Sequence, residues 1–212
     1  NCSRGYTHRQ PIEPGPTRKA RIVISAAINH IALHLNQYLR QAHQLGDDIV
    51  VVSNLLSQDG ALARDTANKV IVCLVNIEKD TLPQQAPPAA SGNGRVGVYG
   101  RPLFLNLEIV VAANFGDKNY SEALAFISSA IGFFHHTPVF DHQLTPDLDD
   151  RIEKLLLDME NLTHHELSNL WTMLSGRYLP SVLYKMRMIS YGDGALIGQA
   201  PVVSRPHTSV GA

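Results

Sequence analysis

The sequence predicts an α+β domain in which helices pack against a mixed sheet. Three observations carry this expectation. Apolar residues recur at helical spacing in residues 20–45 and again in residues 120–138. Residues 47–55, 69–78 and 103–114 are β-branched or alternating apolar runs of strand length. The order is helix, strand, strand, long loop, strand, helix, an ambiguous segment, helix, strand, which suits helices laid on one sheet.

Taken in order, residues 1–19 are rich in Pro, Gly and charge and poor in large apolar residues. They predict an extended N-terminal arm closed by Pro14, Gly15 and Pro16. The helix over 20–45 rests on Ile24, Ile28, Ile31, Leu35 and Leu39, with Gly46 placed to end it. Residues 47–55 read as a short strand and 69–78 as a strand buried on both faces. Residues 79–102 are rich in Pro, Gly, Ala and Ser, and 83–102 predict a flexible loop within the domain. Leu103, Leu105, Leu107 and Ile109 alternate as a third strand. Residues 120–138 predict a helix with Ser121 near its start and Pro138 at its end. The period of 151–162 fits a short helix or a buried strand, and periodicity alone leaves the two open.

Thr163-His164-His165-Glu166 is a capping box, with Leu162 able to staple onto Leu167. The stripe Leu167, Leu170, Trp171 and Leu174 places the only tryptophan on a core face, and Gly176 is positioned to stop the helix. After Pro180, Val182, Tyr184, Met186 and Met188 alternate against Leu183, Lys185, Arg187 and Ile189. That is a half-exposed strand. Gly-Asp-Gly at 192–194 suggests that it folds back as a hairpin, leaving 193–212 as a C-terminal hairpin and tail.

At 212 residues the chain fits a single domain, here 20–192, with an arm and a tail. Its net charge of −1 gives no global basic field, so no nucleic-acid partner is expected. Charged residues make up 17%, below the usual share of about 25%, which points to surface covered by neighbours. No apolar run reaches the roughly 20 residues of a membrane span, and the N-terminus shows no signal-peptide pattern. Cys73 reads as a buried thiol, and Cys2 lies far from it in sequence.

The chemical motifs all read as structural. Gly92–Gly97, GNGRVG, matches G-x-G-x-x-G, but no strand precedes it and no helix follows, as a dinucleotide site requires. His30 and His34 share a helix face at metal-ligand spacing, yet they sit in an apolar stripe without the Glu of H-E-x-x-H. Partial burial or a solvated flank is the expectation for them. His135 and His136 suit a helix C-terminus. Asp141, Asp147, Asp149 and Asp150 miss the EF-hand pattern and read as a solvated acidic loop. Neither a G-x-S-x-G elbow nor a P-loop occurs. No catalytic, cofactor-binding or metal residue is expected, and no cofactor.

The segment ELSNLWTMLSGRYLPSVLYKMRMI resembles the signature of the cap (tail-terminator) protein family of extracellular contractile injection systems. Glu166, Leu167, Leu170 and Trp171 match its E-L-x-x-L-W helix. Tyr178, Pro180, Ser181 and Tyr184 match the Y-x-P-S-x-x-Y strand after it. The segments INHIALHLNQYLR, VIVCLVNIEKD, PLFLNLEIVVAANFGD and ALAFISSAIGFFHHTPVF are similar, in order, to further family segments, so the resemblance covers about 22–192. Phe133–Phe134, the doubled histidines after them and the Pro-rich arm depart from the family pattern.

The resemblance implies a tail-terminator-like fold, a mixed, mostly antiparallel sheet flanked by helices, and a strand at 151–160. It implies a non-enzymatic subunit of a homo-hexameric ring at the baseplate-distal end of a contractile particle. That ring would bind the last rings of inner-tube and sheath protein and end their polymerisation. Assembly in the bacterial cytoplasm and residence in the released or anchored particle go with that role. The alternatives are a baseplate or connector component of the same particle, or a nucleotide-binding enzyme using GNGRVG. The candidate interface residues are Lys185 and Arg187 on the exposed strand face, with the basic cluster Arg18, Lys19 and Arg21.

Overall fold

The computed structural model describes residues 16–56, 63, 66–80, 91–92, 95–99, 103–174, 177–190 and 196–201. Among them are three α-helices and nine strands in an α+β arrangement. The main sheet has six strands. They are β1 (Val50–Val52), β2 (Lys69–Lys79), β5 (Leu103–Asn114), β8 (Ser181–Ser190), β7 (Ile152–Glu160) and β6 (Val139–Asp141), in that spatial order. Only β1 and β2 run parallel; every other neighbour is antiparallel.

Helix α1 (Pro16–His43) begins four residues before the expected start, so 16–19 belong to the helix and not to an arm. Pro16 suits a first-turn position, where its missing N–H would be unpaired anyway. Residues 1–15 lie outside the described residues. The helix ends at Gln44, not at Gly46: Gln44 takes φ 53°, and Leu45 N–H donates to the Arg40 carbonyl at 2.9 Å. That six-to-one bond is the Schellman closure, made here without glycine. Helix α2 (Tyr120–His136) ends where Thr137 N–H donates to the Phe133 carbonyl, just before Pro138.

Period-2 alternation divides the sheet into two faces. On one, Val70, Val72, Leu107, Ile109, Val111, Tyr184, Met186 and Met188 meet α1 and α2 in the larger core. On the other, Ile71, Cys73, Val110, Ala112 and Leu183 meet α3 (His164–Leu174) through Leu170 and Trp171. The ambiguous segment is β7, whose Ile152, Leu155 and Leu157 point into the larger core. Strand β2 is buried on both faces only from Val70 to Cys73; after a bulge between Leu74 and Asn76 its end is exposed.

The capping box of α3 forms as its residues require. Thr163 N–H donates to Glu166 Oε2 at 2.8 Å, and Glu166 N–H donates to Thr163 Oγ1 at 3.3 Å. These bonds hold the Glu166 carboxyl below its ordinary pKa. Gly176 lies outside the described residues.

Two expectations for the chain after β2 and after β8 are corrected. The 83–102 segment is not one loop: it contributes β3 (Ser91–Gly92) and β4 (Arg95–Tyr99), paired antiparallel. The strand β9 (Leu196–Pro201) does not fold back on β8 but pairs with β4. The β4–β9 ladder therefore joins the same two stretches of chain that pair as β5 and β8. Residues 202–212 lie outside the described residues.

Trp171 is 4% exposed and meets Tyr178 edge-on at 5.7 Å. Trp171→Ala is expected to cost about 3–5 kcal/mol, as for other buried aromatics. Met173→Ala, on the exposed side of the same helix, should stay within about 0.5 kcal/mol. Urea unfolding of both variants reads this difference. A second expectation concerns pH. Arg151 grips Asp149 with both prongs, at 2.8 and 2.5 Å, and this lowers the Asp149 carboxyl to about 2. Its contribution is present above the ordinary carboxyl range and is lost as pH falls toward about 2. After solvent screening it amounts to about 1 kcal/mol or less. Asp149→Asn should flatten that limb of a stability-versus-pH curve.

Candidate interaction surface

Among the described residues, α3 covers only part of the sheet face that receives it. Beyond Leu183 the same face continues with Lys185 and Arg187 on β8. Across the ladder, Lys185 stands between Glu108 of β5 and Asp158 of β7, with Asn76 of β2 beyond Glu108. In the next row Arg187 stands between Asn106 and Leu156, with Glu78 beyond Asn106. The surface is thus a grid of alternating charge built on central strands, where the backbone fixes each position.

Lys185 and Arg187, both partly buried, are engaged within the chain. Lys185 Nζ lies 3.7 Å from Glu78 Oε2, and Arg187 Nε lies 3.3 Å from Asp80 Oδ2. The Asp80 side chain is 3% exposed, so its charge needs cationic and hydrogen-bonding company. Glu78, Glu108 and Asp158 outnumber the two cations on these rows, and Glu160 adds a carboxylate on the row of Leu183, so this part of the face is acidic. Arg18, Lys19 and Arg21 fall in the first turns of α1, but their side chains lie outside the described residues.

One edge of the grid is open. Strand β1 pairs with β2 only at Val70–Val72, and among the described residues no strand pairs with Asn76–Lys79 on that side. Ile77 there is an exposed large apolar residue.

The signature residues divide by role. Leu170, Trp171 and Tyr184 are core, and Leu167 packs against it. Burial pushes the Tyr184 phenol up to about 12. Glu166 works as a cap. The Pro180 carbonyl accepts from Ala113 N–H at 2.9 Å, and Ser181 pairs with Ala112, so the two open the β5–β8 ladder. Tyr178 is not core: it is 59% exposed and lies against the edge of Trp171.

Two groupings join residues that the sequence leaves apart. Asn36 of α1 accepts from the N–H groups of Ile49 and Val50 at 2.9 and 3.0 Å and donates to Asp48 at 2.6 Å, which ties β1 to the helix. His30 and His34 meet Asp147, which arrives from the β6–β7 connection. Burial, then His34, lowers the His30 pKa. His136 behaves as its position predicts, with Nδ1 2.7 Å from the Gly132 carbonyl. A shallow groove of about 620 Å³ lies along α1, lined by His34, Tyr38, Arg40 and Phe133 among others. GNGRVG falls on the β3–β4 pair and precedes no helix, so it lacks the strand-to-helix turn that positions a pyrophosphate.

The two charge pairs differ in burial, and substitution reads the difference. Arg187→Ala removes a cation from a buried carboxylate and is expected to cost about 1–3 kcal/mol. Lys185→Ala leaves the partly exposed Glu78 and is expected to change stability by about 0.5 kcal/mol or less. Chemical denaturation of the two variants compares them directly.

Residues 26–205 match the family described as Pvc16 N-terminal domain. Among solved structures, the sheath/tube terminator of an extracellular contractile injection system, PVC, in its extended state is similar over 97% of this chain and 65% of that one. The sequence identity is 16% and the TM-score 0.55. The tube-terminating cap of the anti-feeding prophage is similar over 82% of this chain and 58% of that one, with 16% identity and a TM-score of 0.47. The chain thus spans about two thirds, or less, of the length of these structures. No curated protein matches the sequence. No helix among the described residues is long and apolar enough to cross a membrane. With most of its length matched and a mixed six-stranded sheet like that of the PVC terminator, the chain belongs to the Pvc16 N-terminal domain family and has a tail-terminator fold.

Proposed function

We propose that this protein is a structural terminator subunit of a contractile injection particle. It forms a homo-hexameric ring at the baseplate-distal end, binds the last rings of inner tube and sheath, and ends their growth. The observation that carries this reading is the half-covered sheet, an acidic grid with an open strand edge, in a chain of the terminator family. A sheet face of fixed charges beside an unpaired edge suits an extended partner segment, which gains main-chain hydrogen bonds from the edge and specificity from the face. Because Glu78, Glu108, Asp158 and Glu160 dominate the face, that segment carries Lys or Arg. We assign it to the sheath protein. Assembly in the bacterial cytoplasm, followed by residence in the particle, accompanies the role.

A non-catalytic role fits the perturbed groups. The lowered Asp149, the lowered Glu166 and the raised Tyr184 each have a structural cause: an arginine fork, a helix cap and burial in the core. None of the three lines the groove along α1.

Particle imaging tests the proposal. A tagged chain should label the end away from the baseplate in negative stain. Glu108→Gln combined with Asp158→Asn, which leaves the Lys185–Glu78 pair in place, should keep the thermal stability of the parent while particles lose sheath attachment or run to irregular lengths. Labels at the baseplate end would favour a connector role, and uniform, normally sheathed particles would remove the assigned surface.

A further inference from the structure

We propose that His30, His34 and Asp147 form a binding site for a divalent transition-metal ion of the zinc class. The site joins α1 to the β6–β7 connection, away from the charged sheet face. The proposal departs from the expectation of no metal residue and starts from what the fold brings together: a helix pair at i, i+4 and an aspartate more than a hundred positions away in sequence.

The geometry is that of an open three-ligand site. One ligand atom from each residue can be chosen so that all lie within 4.8 Å of one another. Asp147 Oδ2 lies 3.3 Å from His34 Nε2 and 3.7 Å from His30 Nδ1, so one carboxylate oxygen faces both rings. Zinc bonds to nitrogen and oxygen of about 2.0–2.2 Å set tetrahedral ligand atoms about 3.3–3.5 Å apart. The Asp147 oxygen already stands at about that spacing from both rings, so the closure that remains, about 1.4 Å at most, is between the two imidazole nitrogens and is met by rotation of the rings about their side-chain bonds. Two imidazoles and one carboxylate, with water at a fourth position, are a donor set that zinc accepts.

The histidines are poorly explained as ordinary core. The His30 side chain is 5% exposed and its Nδ1 stands 3.7 Å from Asp147 Oδ2, beyond hydrogen-bond length, while the buried His34 Nε2 faces the same oxygen at 3.3 Å without an aligned hydrogen bond. Buried polar atoms are nearly always paired, and an unpaired one costs free energy. The rings are held rather than loose. Their centroids are 4.4 Å apart, and each lies 5.8 Å from Phe140. The aspartate is also held. Its connection is shaped by Asp141, which accepts from the N–H groups of Gln143 and Leu144, and by the Asp149–Arg151 fork. His142 stands nearby, but its Nε2 is 2.8 Å from the Ile152 carbonyl, which leaves it outside the donor set. Ligands on two preorganised elements are what a structural or regulatory metal site needs.

Chelator-treated full-length chain titrated with zinc in a calorimeter should bind one equivalent with micromolar or tighter affinity. Cobalt should give the intense visible absorption of a tetrahedral site, and zinc should raise the melting temperature. His34→Ala and Asp147→Asn should each weaken binding at least tenfold and abolish the cobalt bands. His135→Ala combined with His136→Ala, which removes an exposed histidine pair elsewhere, should leave both unchanged. Asp147→Asn keeps the test sound if the histidine variant folds poorly. Absence of saturable binding, or binding that persists in both ligand variants, would show that the cluster is only an Asp–His contact and overturn the proposal.

Discussion

The antiparallel pairing of β5 with β8 is the constraint on which the rest of the structure depends. It runs from Leu103 opposite Ser190 to Ala112 opposite Ser181 without a register shift. Because side chains alternate, a slip of one residue would carry Leu107, Ile109 and Val111 to the charged face and bring Asn106 and Glu108 into the larger core. The cost of burying an unpaired Glu108 closes off that alternative. Both neighbours of the pair inherit its register, β2 on the side of β5 and β7 on the side of β8. The second ladder, β4 with β9, is made by the same two stretches of chain.

The length of α3 decides how much of the outer face is left open. Its 11 residues make a helix of about 16 Å, whereas the 10 residues of β8 extend over about 33 Å. A helix that short cannot cover the whole face whatever its angle. It covers the apolar part, Val110, Ala112 and Leu183, and leaves the part where β5 and β8 carry Asn106, Glu108, Lys185 and Arg187. Strand β5 therefore changes character midway on one face only, while its face toward α1 and α2 stays apolar from Leu105 to Ala113.

Elements whose signal is local were legible from the residues. The capping box, the Trp171 stripe and the alternation of β5 and β8 all follow from spacing within a few turns or pleats. What was not legible depends on partners distant in sequence. Period alone left β7 undecided, because a strand buried against the core shows the same apolar density as a helix; its place beside β8 resolves it. Strand β4 was missed because its five residues, Arg95–Tyr99, sit inside a Pro- and Gly-rich stretch and its partner β9 lies about a hundred residues on, and β3 is only two residues long and pairs with β4. The stop of α1 at Gln44 was missed because a glutamine rarely takes positive φ. The surface was half legible: the polar alternation of Lys185 and Arg187 could be read, but their carboxylate neighbours on β2, β5 and β7 could not. Nor could anything before folding connect His30 and His34 with Asp147.

The residues that reveal the family and the residues that carry the proposed contact are for the most part different sets, and there is a physical reason. Glu166, Leu170, Trp171, Pro180, Ser181 and Tyr184 satisfy demands internal to the chain: a helix start, a core face, the opening of a ladder, a buried ring against Phe134. Those demands are the same whatever the outer face meets. Glu108, Asp158 and Lys185 meet no such internal demand beyond solvation and a partly exposed ion pair, so substitution there is cheap for folding and costly only for a partner. Arg187 is the exception, since Asp80 beneath it is buried. A chain built this way can keep one fold while its outer grid changes, and a sequence identity of 16% with a chain of the same fold is what that separation permits.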